Sequence, residues 1–231
     1  MFAVIFEVEP RQGRVEDYLD LAKALRPKLE AIDGFISIER FASKRNAGRM
    51  LSLSVFRDEK AVIRWRTHAG HHAGQERGRS EIFADYRLRV GEVMADTAPP
   101  QGIAVAQQRF DETEIGDAKA ATITELVPEP GRALDPNVIG SADGAPGLID
   151  QEVFESIYNP GKLLVLASWR DAAAANARSP AKPAAAASLR HRAVRIVRDY
   201  GMFERREAPQ YYPEARRDGR KTAEQSRRAA R

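Results

Sequence analysis

The chain has no cysteine among its 231 residues, which removes disulfides, thiolate catalysis, iron–sulfur clusters and cysteine-based zinc sites together. It lacks any apolar run near the ~20 residues that a membrane-spanning helix needs, so no membrane partner is expected. The opening Met1-Phe-Ala-Val-Ile-Phe-Glu7 has neither the basic start nor the small-residue cleavage site of a secretory leader, and it reads as a strand of a cytoplasmic protein. The body also lacks an excess of either charge. Lys and Arg number 37 against 33 Asp and Glu, but Glu214 to Arg231 alone carries seven basic and three acidic residues, leaving 30 against 30 elsewhere. The pI of about 9.4 therefore belongs to a tail without apolar periodicity, expected to be disordered. Such a tail is either a weak electrostatic tether to nucleic acid or membrane or a solubilising end. With a neutral body, a nucleic-acid partner is not expected.

What the chain does contain is a copy of itself. Shifted by 113 positions, Gly34 to Asp58 falls on Gly147 to Asp171 without a gap, and 11 of the 25 pairs are identical. They include Gly34/Gly147, Glu39/Glu152, Phe41/Phe154, Ser43/Ser156, Asn46/Asn159 and Gly48/Gly161. An internal repeat has to be settled before any fold assignment. Here it divides the chain into an N-terminal domain (1–96), a linker (97–119), a weaker copy (120–205) and the basic tail (206–231).

Within the first unit, Phe2, Val4, Phe6 and Val8 alternate with Ala3, Ile5, Glu7 and Glu9 as in a half-buried strand. After the turn at Pro10 and Gly13, Tyr18, Leu21, Ala22, Leu25, Leu29 and Ile32 recur at helical spacing, Gly34 stops the helix and Pro27 predicts a bend in it. Phe35 to Ser43 and Met50 to Phe56 read as a hairpin joined through Arg45-Asn-Ala-Gly48. Asp58 caps a second helix running to about Arg79, and Tyr86 to Met94 forms a fourth strand. The order βαββαβ gives an α+β fold, a ferredoxin-like antiparallel sheet with both helices on one face. In the copy, Arg132 to Gly147 gains Pro136, Gly140 and Gly144, so its first helix is expected to be short or absent. Pro180 and Pro183 interrupt its second helix. In the copied hairpins Asn46, Gly48, Asn159 and Gly161 are turn formers, Trp169 is core, and the Glu39/Glu152 pair is expected in outward salt bridges.

The runs Phe6-Glu-Val-Glu-Pro10, Asp33-Gly-Phe-Ile-Ser-Ile-Glu-Arg-Phe41 and Leu51-Ser-Leu-Ser-Val-Phe-Arg-Asp58 with Trp65 after it, together with Val197-Arg-Asp-Tyr-Gly201 in the copy, resemble the antibiotic biosynthesis monooxygenase domain family. The resemblance implies that the two repeats close face to face into an intramolecular dimeric α/β barrel around a shared apolar interior, with further homo-oligomerisation open. It also implies oxidation by O2 of a small aromatic, quinol- or phenol-like substrate without a cofactor. The alternative is a non-catalytic small-molecule-binding or structural protein of the same fold. The haem-degrading branch of the family pairs an Asn on the first strand with a Trp on the second helix and an axial His ten residues beyond it. Trp65 matches, but Gln75 stands at the axial position and Phe6 and Glu7 stand where Asn is expected, so haem is not favoured.

The second helix holds three of the four histidines. Treated as one helix at 100° per residue, it places Trp65 and His72 on one face, flanks them with His68, and turns His71 away. Trp65, His68 and His72 are thus the candidate catalytic residues, Trp65 shaping a cavity between helix and sheet and His72 acting as the base. The bland alternative is a core tryptophan and a hydrogen-bonded buried histidine. His68 and His72 have chelating spacing, but no carboxylate completes a set, and no metal is expected.

Overall fold

The structure, a computed structural model, describes residues 1–136, 144–177, 179–210, 212 and 215. Strands β1 (Phe2–Pro10), β2 (Phe35–Ser43), β3 (Met50–Phe56) and β4 (Phe83–Asp96) alternate with helices α1 (Val15–Glu30), α2 (Glu59–Thr67) and α3 (Ala69–Arg77). A π-helical turn (Gly78–Ile82) leads from α3 into β4. The copy supplies β5 (Ala120–Pro128), β6 (Leu148–Ser156), β7 (Leu163–Trp169), the five-residue α4 (Ala172–Asn176) and β8 (Ala186–Gly201). Among the described residues the copy has no counterpart of α1 between β5 and β6. The part of that stretch from 137 to 143, Arg178, and most of the basic tail lie outside the described residues. No helix is long and apolar enough to cross a membrane among the described residues.

All eight strands close into one antiparallel barrel in the order β1-β3-β2-β6-β7-β5-β8-β4, so the two repeats form the expected α+β barrel within one chain. Period-2 alternation decides what fills it. Ala3, Ile5, Phe41, Leu51, Leu53 and Val55 from the first half meet Ala121, Ile123, Phe154, Leu164, Leu166, Val194 and Ile196 from the second in one buried cluster. The shared interior is therefore packed with side chains. The opposite faces of β1 to β4 carry Phe2, Val4, Ile38, Leu88 and Val90 toward the helices, where Leu29, Val62 and Trp65 join them.

Two seams join the halves, and they differ in length. β4 and β8 pair from Arg87↔Gly201 to Asp96↔Arg192, whereas β2 and β6 share only Phe41↔Ser156, Ala42↔Glu155 and Ser43↔Phe154. The short seam is reinforced by the two repeated glutamates, each inserted into the hairpin of the other half. Glu152 accepts hydrogen bonds from Ser43 Oγ and from Asn46 Nδ2 at 3.0 Å, and it lies 3.2 Å from Arg49 Nη1. In mirror fashion Glu39 accepts from Ser156 Oγ at 2.6 Å, Asn159 Nδ2 at 2.8 Å and Lys162 Nζ at 2.5 Å. The outward salt bridges expected of Glu39 and Glu152 are thus replaced by inward, reciprocal contacts, because strand register turns these positions toward the partner hairpin. Asn46 and Asn159 do more than turn the chain, while Gly48 and Gly161 do supply the positive φ of the turns, 86° and 82°.

The same cations tie each clamp to a second carboxylate. Arg49 and Arg89 both reach Glu7 at 2.5 Å, and Lys162 and Arg192 reach Glu125 at 2.6 and 2.5 Å. Burial alone would raise the Glu7 carboxyl, but Arg89 and Arg49 outweigh it and hold it below its ordinary range. At Glu125, burial is likewise outweighed by Arg192 and Lys162. Gly91 permits the long seam to close: a Cβ there would fall on Val194 Cγ1 and lie 2.9 Å from the Arg195 carbonyl oxygen. Trp169, 2% exposed, is core and donates its Nε1–H to Thr122 Oγ1 at 2.9 Å.

Three outcomes follow from this packing. Glu152→Ala leaves the Asn46 amide without its acceptor and Arg49 with Glu7 as its remaining carboxylate. It should cost about 1–3 kcal/mol, the usual loss on leaving a buried polar group unsatisfied, as measured by urea unfolding. Gly91→Ala should cost about 1–3 kcal/mol through overpacking and lower the melting temperature. Glu7 and Glu125 have folded pKa values below their unfolded ones, so their stabilisation is complete above the ordinary glutamate range near 4.5. It is lost as pH falls below that range. Unfolding free energies measured from pH 7 to 3 should show this acid limb, and a flat profile would contradict it.

Candidate active site

A cavity of about 170 Å3, open to solvent on one side, lies outside the barrel between the first-half sheet and its helices. Strand register lays out its floor as two parallel rows. Arg40, Ser52, Phe6, Leu88 and Tyr200 lie side by side on β2, β3, β1, β4 and β8, and Ile38, Ser54, Val4, Val90 and Arg198 form the next row. All ten line the cavity. Leu21, Ala22, Leu25 and Leu29 of α1 form one side of the roof, and Val62, Trp65, His71, Gly74 and Gln75 of α2 and α3 form the other. Gly74 lets these helices approach, since a Cβ on it would sit 2.9 Å from Leu25 Cδ1. The chamber is thus beneath the helices of the first half and not inside the barrel. Its volume is below the ~300 Å3 typical of sites for drug-sized ligands and suits a small molecule.

The expected single second helix is two, and this changes which histidine faces the cavity. His68 takes an extended backbone conformation (φ −62°, ψ 127°), ending α2 and capping α3, and its Nδ1 accepts the Gly70 N–H at 3.1 Å. A helical wheel drawn straight through this break misassigns His71 and His72. Trp65 lines the cavity as expected, but His71 joins it there, while His68 and His72 are not among the lining residues. His71 stacks on Trp65 with ring centroids 4.1 Å apart and planes 15° from parallel. Its Nδ1 lies 3.0 Å from the Trp65 carbonyl oxygen and 3.2 Å from Gln75 Nε2. A carbonyl can only accept, and it is the closer partner, so Nδ1 carries the proton and Nε2 keeps a free lone pair. Burial, with smaller contributions from His68 and His72, lowers the His71 pKa to about 4. His71 is neutral throughout the physiological range.

His72 instead stacks outward on Tyr212, with centroids 5.6 Å apart and the Tyr212 hydroxyl 3.2 Å from its Nδ1. Tyr212 and Gln210 come from the segment beyond β8. Gln210 Nε2 donates to the Arg66 carbonyl at 3.2 Å and to Gln75 Oε1 at 3.0 Å, and the Tyr212 hydroxyl donates to the same Oε1 at 2.9 Å. Arg205 donates to the Tyr86 hydroxyl at 2.8 Å. This wall was missed because it lies in and beside a stretch with no periodic pattern, although Tyr211-Tyr212 is an aromatic pair out of place in a solvated tail. Burial pushes the Tyr200 hydroxyl up to about 12, so it stands in the cavity as a donor.

The lining includes Arg26, Arg40, Arg66, Arg79, Arg198 and Arg205 and, among the described residues, no aspartate or glutamate. No group of three or more His, Asp and Glu is placed to hold a metal among the described residues. The haem set of the related branch does not fit: Gln75, at the axial position, has its oxygen occupied by Gln210 and Tyr212, and Phe6 stands in the floor. The arrangement can enclose an apolar molecule, present a neutral imidazole acceptor beside an indole, and oppose negative charge with guanidinium groups.

Comparison with known proteins agrees with this architecture. The family model for antibiotic biosynthesis monooxygenase matches residues 1–77. A solved structure of aldoxime dehydratase in complex with butyraldoxime shares the fold, with a TM-score of 0.54 at 11% identity over 84% of this chain and 79% of that one. A Pyricularia oryzae (strain 70-15) protein named Jasmonate monooxygenase ABM is 40% identical over 222 residues, which cover 93% of this chain and all of that one. Likeness of that extent spans both halves and the linker between them, and with the barrel it establishes that this chain belongs to the antibiotic biosynthesis monooxygenase family.

Proposed function

We propose that the chain oxidises a small, largely apolar substrate with O2 in the cavity beneath α1, α2 and α3, with His71 as the group that meets the substrate's acidic proton. The observation that carries this reading is the stacked Trp65/His71 pair in the cavity wall, where the imidazole is kept neutral by burial and its Nε2 is left as an acceptor. In the cofactor-independent form the substrate is phenol- or quinol-like and supplies all the electrons. A hydrogen bond from its acidic hydroxyl to Nε2 increases electron density on the ring, which then reduces O2. For a methylene between aromatic rings the balance closes: four electrons pass to O2, one oxygen atom becomes the ketone oxygen, and the other leaves as water. Apolar walls favour this by excluding bulk water. Jasmonate, the substrate in the name of the Pyricularia relative, is an alternative for the same cavity. Hydroxylating a C–H bond takes two electrons from such a substrate, so an external two-electron reductant has to supply the remainder.

A second reading, a non-catalytic binding protein, is favoured by the modest cavity volume. Oxygen uptake with hydroquinones, anthrones and jasmonate, the last with and without reduced nicotinamide or ascorbate, separates the two. The parent should consume O2 with at least one class, and His71→Ala should lower the rate by about 10²-fold or more, the usual worth of a positioned proton acceptor. No uptake with any compound, or a folded His71→Ala protein as fast as the parent, would end the catalytic reading. The two histidines outside the cavity should behave differently. His68→Ala removes the α3 cap and should cost about 1 kcal/mol of stability with little change in kcat, while His72→Ala should act only through Tyr212. With a pKa of about 4, His71 contributes no limb to the rate between pH 5 and 8. A rate that falls with an apparent pKa near 6.5, and loses that fall in His71→Ala, would show the imidazole to be charged in that range.

A further inference from the structure

Three arginines that line the cavity, Arg40, Arg66 and Arg198, enter none of the ion pairs formed among the described residues, and Arg40 is the most deeply buried of them. Buried Arg89 and Arg192, 1% and 2% exposed, each face a carboxylate at 2.5 Å. Among the cavity arginines, Arg26 pairs with Glu30 at 2.7 Å, Arg79 donates to the Tyr86 hydroxyl and the Met202 carbonyl, and Arg205 donates to Tyr86, Gly201 and Gln210. Arg40 is 8% exposed, its buried Nε has no hydrogen-bond partner, and its side chain enters none of the ion pairs formed among the described residues. Its guanidinium sits 5.8 Å from the centre of the Tyr18 ring, and Ser52 is its neighbour in the floor row. Arg66, in the same cavity, also has a buried Nε without a partner. A guanidinium withdrawn from water without an opposing charge is costly, and among the described residues no lining side chain supplies one.

We propose that Arg40 is the anion anchor of this cavity, and that its ligand is a small monocarboxylic acid with an apolar body. The planar fork of a guanidinium matches a carboxylate with two parallel hydrogen bonds. With the acid group at Arg40, the rest of the molecule runs along the floor row over Ser52 and Phe6, two strand spacings or roughly 10 Å away. This brings it toward Leu88, which packs in the same cluster as Trp65. The proposal rests on the preceding reading only in calling the ligand a substrate, because the anchor itself is a binding site and is tested by binding.

The test is calorimetric titration of the full chain with three acids, jasmonate, phenylacetate and hexanoate, and with their methyl esters. At least one acid should bind about tenfold or more tightly than its ester, the effect of a hydrogen bond to a charged group. Arg40→Met should abolish that preference while leaving ester affinity within about twofold, and Arg40→Lys, which keeps the charge and loses the fork, should fall between. Circular dichroism melting checks that each variant is folded, and Arg40→Lys serves if Arg40→Met is not. Equal binding of acid and ester by the parent, binding of none of the acids, or an undiminished preference in a folded Arg40 variant would overturn the anchor. Acid binding through Arg40 without oxygen uptake would sink the oxidation reading and leave the anchor standing. Uptake as fast with esters as with acids would do the reverse.

Discussion

The barrel depends on two carboxylates that each leave their own half to complete the other. Strand pairing at the β2/β6 seam amounts to three residues a side, too little to close a sheet of eight strands by itself. Glu39 and Glu152 supply what is missing, and they do so by reciprocity: a residue of the first half meets a set in the second, and its counterpart returns the contact. This is the pattern of a two-fold interface between identical subunits, retained inside one polypeptide. Because the Ser and Asn of each hairpin and its following cation all converge on the incoming carboxylate, the hairpin, the seam and the interior charges of Glu7 and Glu125 form one connected system.

From that closure follows the division of labour between the halves. Side chains of both halves fill the interior, and the chamber lies on the outer face of a sheet, under helices that cover it. The first half keeps α1, α2 and α3. The second retains α4 alone among its described residues, and places Leu126, Leu134, Val165 and Ala186 together over its sheet. The copy nevertheless contributes to the first half's cavity, because β8 pairs beside β4 and brings Arg198 and Tyr200 into the floor rows. The cavity is thus built by both repeats even though its roof belongs to one.

Much of this was legible in the chain itself. Period-2 alternation in Phe2 to Glu9 and Met50 to Phe56, the helical spacing from Tyr18 to Leu29 and the internal repeat together determine a barrel, because each signal reflects burial on a repeating face. The helix break at His68 was not legible. Histidine is an unusual cap, and only the glycines Gly70 and Gly74 hinted that a continuous helix was a poor choice there. That one dihedral exchanged His71 for His72 at the cavity. The role of Glu39 and Glu152 was hidden for another reason: a strand glutamate looks the same whether it faces water or a partner hairpin. Arg40 did carry a signal, since it shares the helix-covered face with Ile38 and follows it at strand spacing, an odd place for an unpaired charge.

Fusion of the two copies has a consequence for the state of the protein in solution. Two separate subunits joined by the same long and short seams would part on sufficient dilution, and the cavity would lose Arg198 and Tyr200, the two floor residues that β8 supplies. Here the segment from β4 to β5 is anchored along its course, with Ile103 and Val105 against the core and Arg109 paired with Glu59 at 2.8 Å. Meeting of the halves is therefore an intramolecular event whose effective concentration is fixed by the tether. The chain's own connectivity accordingly keeps the floor strand from the copy beside the roof that belongs to the first half.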